Sequence, residues 1–394
     1  MQNSPDLTNP CQVGTRPAST VTPARQPASQ LGPAGRYRLK PDPLSTPNPC
    51  FGLRLQGLLL PALFWLALVA GLLHAPLPAL SKPTERNASH LVGFKLLAAW
   101  DQEAGEDAEF ILWYPASKKG GKSNIGEWKL NASRDAPEQE GIFPLLVISH
   151  DSGANKLSYN DTATELARAG FAVATPTHRT DNTHNLSGLF TAEQIFNRPK
   201  EIEIIIKKLQ EPEYAKFVNT KEIALIGIGA GASTALILAG AMVDISSYAA
   251  YCNANTENDP YCSDWVKQRL TTLSFSLPQP GSNIAQNIKA LALVVPGYSM
   301  LFTQKSLQDV RCPAIIFDGE KREGSQGELL RHMLPNVTEF ITLPDMNARS
   351  IAALCPEALS DGPVWECEPA QSGTLSKRQN LFNTNLLNFL NQNL

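Results

Sequence analysis

From His90 onward the chain alternates short, nearly unbroken apolar runs with stretches whose apolar residues recur at helical spacing. His90–Trp100, Phe110–Tyr114, Ile142–Ser149, Phe171–Ala174, Ile223–Ile226, Ala290–Val295, Cys312–Phe317 and Glu339–Leu343 read as strands. Thr162–Ala169, Pro199–Leu209, a run opening near Ala232, and Lys377–Asn391 read as helices. Strands alternating with helices of this length predict βαβ units, hence an α/β fold with a mostly parallel central sheet flanked by helices. One stretch breaks the alternation. Ser246–Asn287 is long and polar, holds a short helix near Asp264–Leu270, and is expected to be a lid insertion, since so long a connection is uncommon otherwise.

The most informative stretch is Lys221–Gly240, KEIALIGIGAGASTALILAG. A buried strand runs into a turn made of glycine and alanine, and an apolar helix follows, which is the strand-turn-helix unit of an α/β sheet. Gly227, Gly229 and Ala232 also fit the spacing of a dinucleotide-binding turn. That motif belongs to a first βαβ unit with an acidic residue ending a second strand, whereas this strand comes about fifth and Asp244 follows a helix. No cofactor is expected.

Composition changes the picture mainly at the N-terminus. The 394 residues carry a net charge of −3 with basic residues neither in excess nor clustered, which argues against a nucleic-acid partner. Residues 1–54 are proline-rich and poor in residues that could build a core, so they are expected to be disordered. Residues 55–81 contain no Asp, Glu, Lys or Arg, and Gly57–Leu73 is a seventeen-residue apolar run, between a signal-peptide core and the roughly 20 residues of a membrane span. Ala79 and Ser81 stand in the small-x-small relation of a cleavage site, and the preceding charges are mostly basic. A signal peptide or transmembrane anchor is therefore expected, with translation starting downstream of Met1 as an alternative. Residues 82–394 would form the exported domain, periplasmic or otherwise extracytoplasmic, with the membrane as partner through the N-terminal segment.

Export makes the cysteines interpretable. Cys252 and Cys262 lie ten residues apart and Cys355 and Cys367 twelve apart, spacings that suit two local disulfides and leave Cys312 alone. No cysteine or histidine spacing points to a metal. The Asn-x-Ser/Thr sequons at Asn87, Asn131, Asn160, Asn185 and Asn336 would matter only in a eukaryotic secretory pathway.

The runs SHDSGANKLSYNDTATELARAGFAVATPTHRTDN, FNRPKEIEIIIKKL and IALIGIGAGASTALILAGA, in that order, together with the CP…WEC ending, resemble the secreted dienelactone-hydrolase-like branch of bacterial α/β-hydrolases, related to platelet-activating-factor acetylhydrolases. The resemblance covers about 92–394 and implies an α/β-hydrolase fold, a carboxylic ester hydrolase ancestry and a Ser-Asp-His triad. The triad fails residue by residue. Its nucleophile position falls on Gly229, in a Gly-Ile-Gly-Ala-Gly turn; its acid position falls nearest Arg322, with Glu320 and Glu323 beside it; its histidine position falls on Asn347 or Met346. In the loop that would help bind an oxyanion, His150, Asp151 and Ser152, with Ala230 across from them, put a carboxylate where glycine is usual.

A glycine supplies no nucleophile and an asparagine cannot shuttle a proton near neutral pH. The expected function is therefore that of a catalytically inactive, binding or structural α/β-hydrolase-fold domain, with a small apolar or ester-like ligand beneath the lid. The competing reading is an active esterase or lipase-like enzyme using displaced residues, Ser233 or Ser152 with His178, and Glu323 as a candidate acid. A helical serine such as Ser233 more commonly bonds back to a carbonyl in its own helix. His178 and His184 lie in a loop on the ligand-binding side of such sheets, and His332 on a helix.

Overall fold

The computed structural model describes residues 89–254, 259–271, 284–319, 326–344, 346–359, 367–368 and 374–394. The proline-rich segment, the apolar run before residue 82, parts of the lid, and Glu320, Arg322 and Glu323 lie outside the described residues. No helix among the described residues is long and apolar enough to cross a membrane.

Eleven strands are described: β1 Leu91–Asp101, β2 Glu106–Ala116, β3 Asn124–Ile125, β4 Trp128–Lys129, β5 Ser133–Arg134, β6 Phe143–Ser149, β7 Ala172–Pro176, β8 Val218–Ile228, β9 Ile288–Val294, β10 Ala314–Gly319 and β11 Val337–Leu343. The helices are α1 Asn160–Arg168, α2 Ala192–Leu209, α3 Pro212–Ala215, α4 Ala230–Leu238, α5 Ile245–Ala254, α6 Asp264–Thr271, α7 Gly327–Met333 and α8 Thr374–Asn393. Nine strands make one sheet in the order β11-β10-β9-β8-β6-β7-β2-β1-β5. From β7 to β11 all pairings are parallel, while β2 pairs antiparallel with β1 and with β7.

The apolar runs mark how deep each strand lies. β7 is buried at every position and β6 at all but its first, as strands covered on both faces must be, whereas the edge strand β11 buries only Leu343 fully. One face of the sheet is covered by α2, α4 and the lid helices, packed as a core that includes Ile202, Ile205, Leu236 and Leu270. The other is covered by α1 and α8 through Ala163, Leu166, Phe382 and Phe389. All nine residues of α4 are buried, which explains why its sequence is apolar all round.

Helix α2 departs from the expectation. A proline is best tolerated in a first turn, so the sequence points to a start at Pro199. The helix starts at Ala192 instead and carries Pro199 in its interior. The proline removes one helical hydrogen bond, but the extra turns bury Gln194, Ile195, Phe196 and Arg198, and that burial decides the boundary. Both expected disulfides are formed, Cys252–Cys262 and Cys355–Cys367. Cys312 is free and half-buried, and burial pushes its thiol up to about 11, which keeps it an unreactive protonated thiol.

Candidate functional site

At the end of β8 the chain turns sharply into α4 through Gly229, whose φ of 55° and ψ of −118° is a strained conformation for any residue with a side chain. The flanking glycines make the crossing possible. A Cβ on Gly227 would lie 2.4 Å from the Gly231 carbonyl oxygen, and one on Gly231 would lie 2.0 Å from that of Ser149. The turn that lifts a nucleophile above a sheet is therefore intact, although its central residue carries no side chain.

The place of that side chain is taken from the loop after the neighbouring strand β6. A Cβ on Gly229 would lie 1.9 Å from Asp151 Oδ1 and 2.1 Å from Asp151 Cγ. Oδ1 accepts the Ala230 N–H at 2.9 Å. That amide, following the nucleophile position at a helix N-terminus, is the donor that would otherwise hold an oxyanion. Burial raises the pKa of Asp151, and the backbone N–H groups of Ala230 and Ser152 work against the rise. Gly229 and Asp151 are thus a mutually exclusive pair: a side chain at one position requires the other to move.

The remaining triad positions are equally far from proton-transfer chemistry. Asn347 is consumed by a turn, its Oδ1 accepting the N–H groups of Arg349 at 3.0 Å and Ser350 at 3.1 Å. Met346 is buried. A carboxylate the sequence reading passed over, Asp318, sits within β10 because the strand runs on to Gly319; it is buried and accepts the Gly319 N–H at 2.7 Å. The apolar run ending in this carboxylate was the available signal. After β9, backbone bonds clasp the turn: the Gly229 N–H donates to Val294 at 2.9 Å, and the Gly297 N–H to Gly229 at 2.9 Å.

A second constellation has the right residues. Ser149 Oγ lies 3.0 Å from His178 Nε2, and His178 Nδ1 lies 2.6 Å from Glu201 Oε2. With Glu201 as acceptor, the His178 ring proton is on Nδ1, so Nε2 accepts from the serine, as in a hydrolase triad. All three are buried, at 2%, 0% and 2% exposure, so no substrate reaches the serine. Burial, then the nearby Arg198 and Arg179, pushes His178 well below its ordinary value, and burial pushes Glu201 up. Arg179 binds Glu201 at 3.1 Å and Asp101 at 2.7 Å. His150 accepts the His178 backbone N–H on Nε2 at 3.1 Å, which places its own proton on Nδ1, 2.7 Å from the Asp151 carbonyl. Burial lowers the pKa of His150 as well, so it too stays neutral.

Ser233 Oγ donates to the Ala230 carbonyl within its own helix at 2.8 Å. Ser152 Oγ donates to Asp181 at 3.1 Å. Neither is the partner of His178. His184 is exposed, and His332 is a surface residue 3.7 Å from Glu328.

Gln194 ties the neighbouring loops together, and its place in the unexpected first turns of α2 hid it from the sequence pattern. Its Nε2 donates to Ser152 at 2.7 Å and Asp181 at 2.5 Å; its Oε1 accepts the Phe190 N–H at 2.8 Å and the Tyr298 hydroxyl at 2.5 Å. Phe190 and Tyr298 both have left-handed φ, 59° and 60°, and Val295 has φ 44°. Three of the four non-glycine residues with positive φ among the described residues thus lie beside Gln194 or the β8–α4 turn. Phe190, Tyr261, Trp265 and Tyr298 form one aromatic cluster with centroid separations of 5.3 to 6.0 Å. Behind it, Arg198 lies 3.6 Å from Asp181, while Arg198 Nε and Nη1 and Asp181 Oδ1 are buried without a hydrogen-bond partner.

The fold and this turn define an α/β-hydrolase-fold protein. Residues 116–229 match the family described as platelet-activating factor acetylhydrolase, isoform II. Among solved structures, ferulic acid esterase from Streptomyces cinnamoneus superposes with a TM-score of 0.53 at 13% identity, over 78% of this chain and 91% of that one. Dienelactone hydrolase from Anabaena variabilis gives 0.42 at 11% identity, over 76% and 99%. At such identities the esterase likeness establishes the fold alone. No individual curated protein matches significantly by sequence.

Proposed function

We propose that this is an exported α/β-hydrolase-fold domain that has given up ester hydrolysis and works by binding, with its ligand site beneath the lid beside Gly229. The observation that carries the reading is Asp151: its carboxylate occupies the space of the missing nucleophile and takes the amide that would stabilise an oxyanion. Loss of one oxyanion donor alone costs a hydrolase about 2.7–4 kcal/mol of transition-state stabilisation, and here the donor loss adds to an absent nucleophile and an absent base. The retained strain at Val295, Tyr298 and Phe190 supports a region kept for recognition, since such backbone persists only where its surroundings hold it.

The rival reading, an esterase with displaced residues, has one observation in its favour, the triad geometry of Ser149, His178 and Glu201, and burial of all three weighs against it. Hydrolysis of short and medium acyl esters by the full-length protein separates the readings. The expected result is turnover no faster than buffer, unchanged in Ser149→Ala, Ser152→Ala and Ser233→Ala. Turnover that one of these substitutions abolishes would replace the binding reading with an enzyme and name its nucleophile.

A further inference from the structure

We propose that the outer edge of β1 is the interface of a twofold dimer, in which residues 95–101 pair antiparallel with the same residues of a second copy about Ala98. Such an assembly stands whether or not the region beside Gly229 binds a ligand.

Strand β1 lies next to one end of the sheet, and the edge strand β5 pairs with only two of its residues, Gly93 and Phe94. After Arg134 the chain turns away through Asp135, at φ 50°, whose N–H donates to the Phe94 carbonyl at 2.9 Å. Phe94 therefore points its backbone groups outward. The pairing of β1 with β2 runs without a bulge, so Leu96, Ala98 and Trp100 point theirs outward too. The Asp101 carbonyl, of the other parity, accepts the Gly105 N–H at 2.8 Å in the turn toward β2. Among the described residues, nothing bonds to the backbone of Leu96, Ala98 or Trp100 across this edge.

Open sheet edges are ordinarily guarded by charges, prolines or bulges that discourage pairing. At the other end of the sheet β11 carries Glu339. The run Leu96–Trp100, LLAAW, carries none of these guards. Its outward-bonding residues Leu96, Ala98 and Trp100 share one face of the sheet and are exposed, Leu96 at 39% and Trp100 at 61%. The other face holds Lys95, Leu97, Ala99 and Asp101, of which Leu97 and Ala99 pack into the core that α2 covers.

This edge is complementary to itself. In antiparallel pairing about Ala98, Leu96 lies opposite the partner's Trp100 on one face, and Lys95 lies opposite the partner's Asp101 on the other. Lys95 is 3.4 Å from Glu138 and Asp101 is 2.7 Å from Arg179, so across the axis each ion pair meets the other in reversed order. The small Ala98 side chains meet at the axis, and the outward residues of the two copies close about six main-chain hydrogen bonds. Twofold pairing is closed, and it leaves neither β1 edge free for a third chain. The chain's own N-terminal segment fits less well. Strand β5 occupies the edge at Gly93 and Phe94, where a hairpin back along β1 would begin, and residues 1–54 hold ten prolines, which lack the N–H a ladder needs.

Sedimentation velocity on a dilution series of the full-length protein, with amide hydrogen exchange on the same samples, tests the interface. Two double variants read the register. Leu96→Lys with Trp100→Lys sets like charges opposite each other across the axis, whereas Leu96→Lys with Trp100→Glu sets opposite charges there. Both change exposed positions, and circular dichroism checks that both keep the wild-type fold. The wild type is expected to be a dimer, and the like-charged variant to dissociate at least tenfold more readily than the oppositely charged one. The Ala98 amide should exchange at least tenfold more slowly in the wild type than in the like-charged variant. A wild type that is monomeric at every concentration, with a fast-exchanging Ala98 amide, would overturn the proposal. So would equal association of the two variants, which would place any dimer contact elsewhere. Slow exchange at Ala98 in a monomer would overturn it as well, and would assign the edge to a segment of the same chain.

Discussion

Two constellations in this molecule look like a hydrolase triad from opposite directions. At the β8–α4 turn the place is right and the residues are wrong: the strained backbone, the flanking glycines and the helix N-terminus are kept, but Gly229, Asp151 and Asn347 cannot transfer an acyl group. Beneath it, Ser149, His178 and Glu201 are the right residues with the right distances and tautomer, in a place no substrate reaches. The comparison separates what a triad is made of from what makes it work. Nucleophilicity needs access and an oxyanion donor beside the attacking atom, and the buried relay has neither. Its service is structural: it fastens the end of β6 and the loop after β7 to α2, and so positions Asp151 and Asp181.

The largest expected effect breaks the relay. His178→Ala leaves Glu201 Oε2 and the Ser149 hydroxyl without partners in the interior, Oε1 keeping Arg179, and opens a cavity, and should cost about 3–5 kcal/mol of stability in denaturant unfolding. Ser149→Ala removes only one neutral bond but orphans His178 Nε2, for about 1–3 kcal/mol. If the relay were catalytic rather than structural, these two substitutions would show their main effect in turnover and leave the unfolding midpoint nearly unchanged.

The next prediction concerns the elbow. Gly229→Ser drives a side chain into Asp151 and should destabilise by about 2–4 kcal/mol from overpacking and strain. Adding Asp151→Gly should return about 1–3 kcal/mol of that, a coupling that a double-mutant cycle reads directly. Additive effects would mean that the two residues do not compete for one space.

Asp151→Asn carries the smallest effect and a definite sign. Burial raises the folded-state pKa of Asp151 above its ordinary 3.8, so the folded protein holds this proton longer than the unfolded chain. The associated stability is fully present below about pH 3.8 and is lost as pH rises through the folded value. The variant, which keeps an acceptor for the Ala230 N–H without the charge, should therefore match or exceed the wild type in Tm at pH 7 and lose that advantage near pH 3. A variant less stable than the wild type at pH 7 would show that the ionised carboxylate stabilises the turn.

Much of this was legible in the sequence, and the rest was not for physical reasons. Apolar runs such as Leu145–Ile148 and Ile223–Ile226 announce buried parallel strands. The Gly-Ile-Gly-Ala-Gly turn announces the elbow, and a charged residue at 151 where glycine is usual announces a changed site. The pairing of Ser149 with His178 and Glu201 was hidden because the partners lie 29 and 23 residues apart and meet only once β6 and β7 pair in the sheet. Gln194 was hidden because Pro199 masks the first turns of α2. The left-handed backbone of Val295 and Tyr298 has no signature in residue type, since it is imposed by the bonds of the β9 loop to Gly229 and Phe317.

The central claim is that Asp151 has replaced nucleophile chemistry at an intact elbow. Its most direct test is labelling of the folded, full-length protein with a serine-directed fluorophosphonate, read by peptide mass spectrometry. The account predicts no adduct on the wild type and an adduct at residue 229 in the combined Gly229→Ser, Asp151→Gly, Asn347→His variant. An adduct on wild-type Ser149, Ser152 or Ser233 would contradict it.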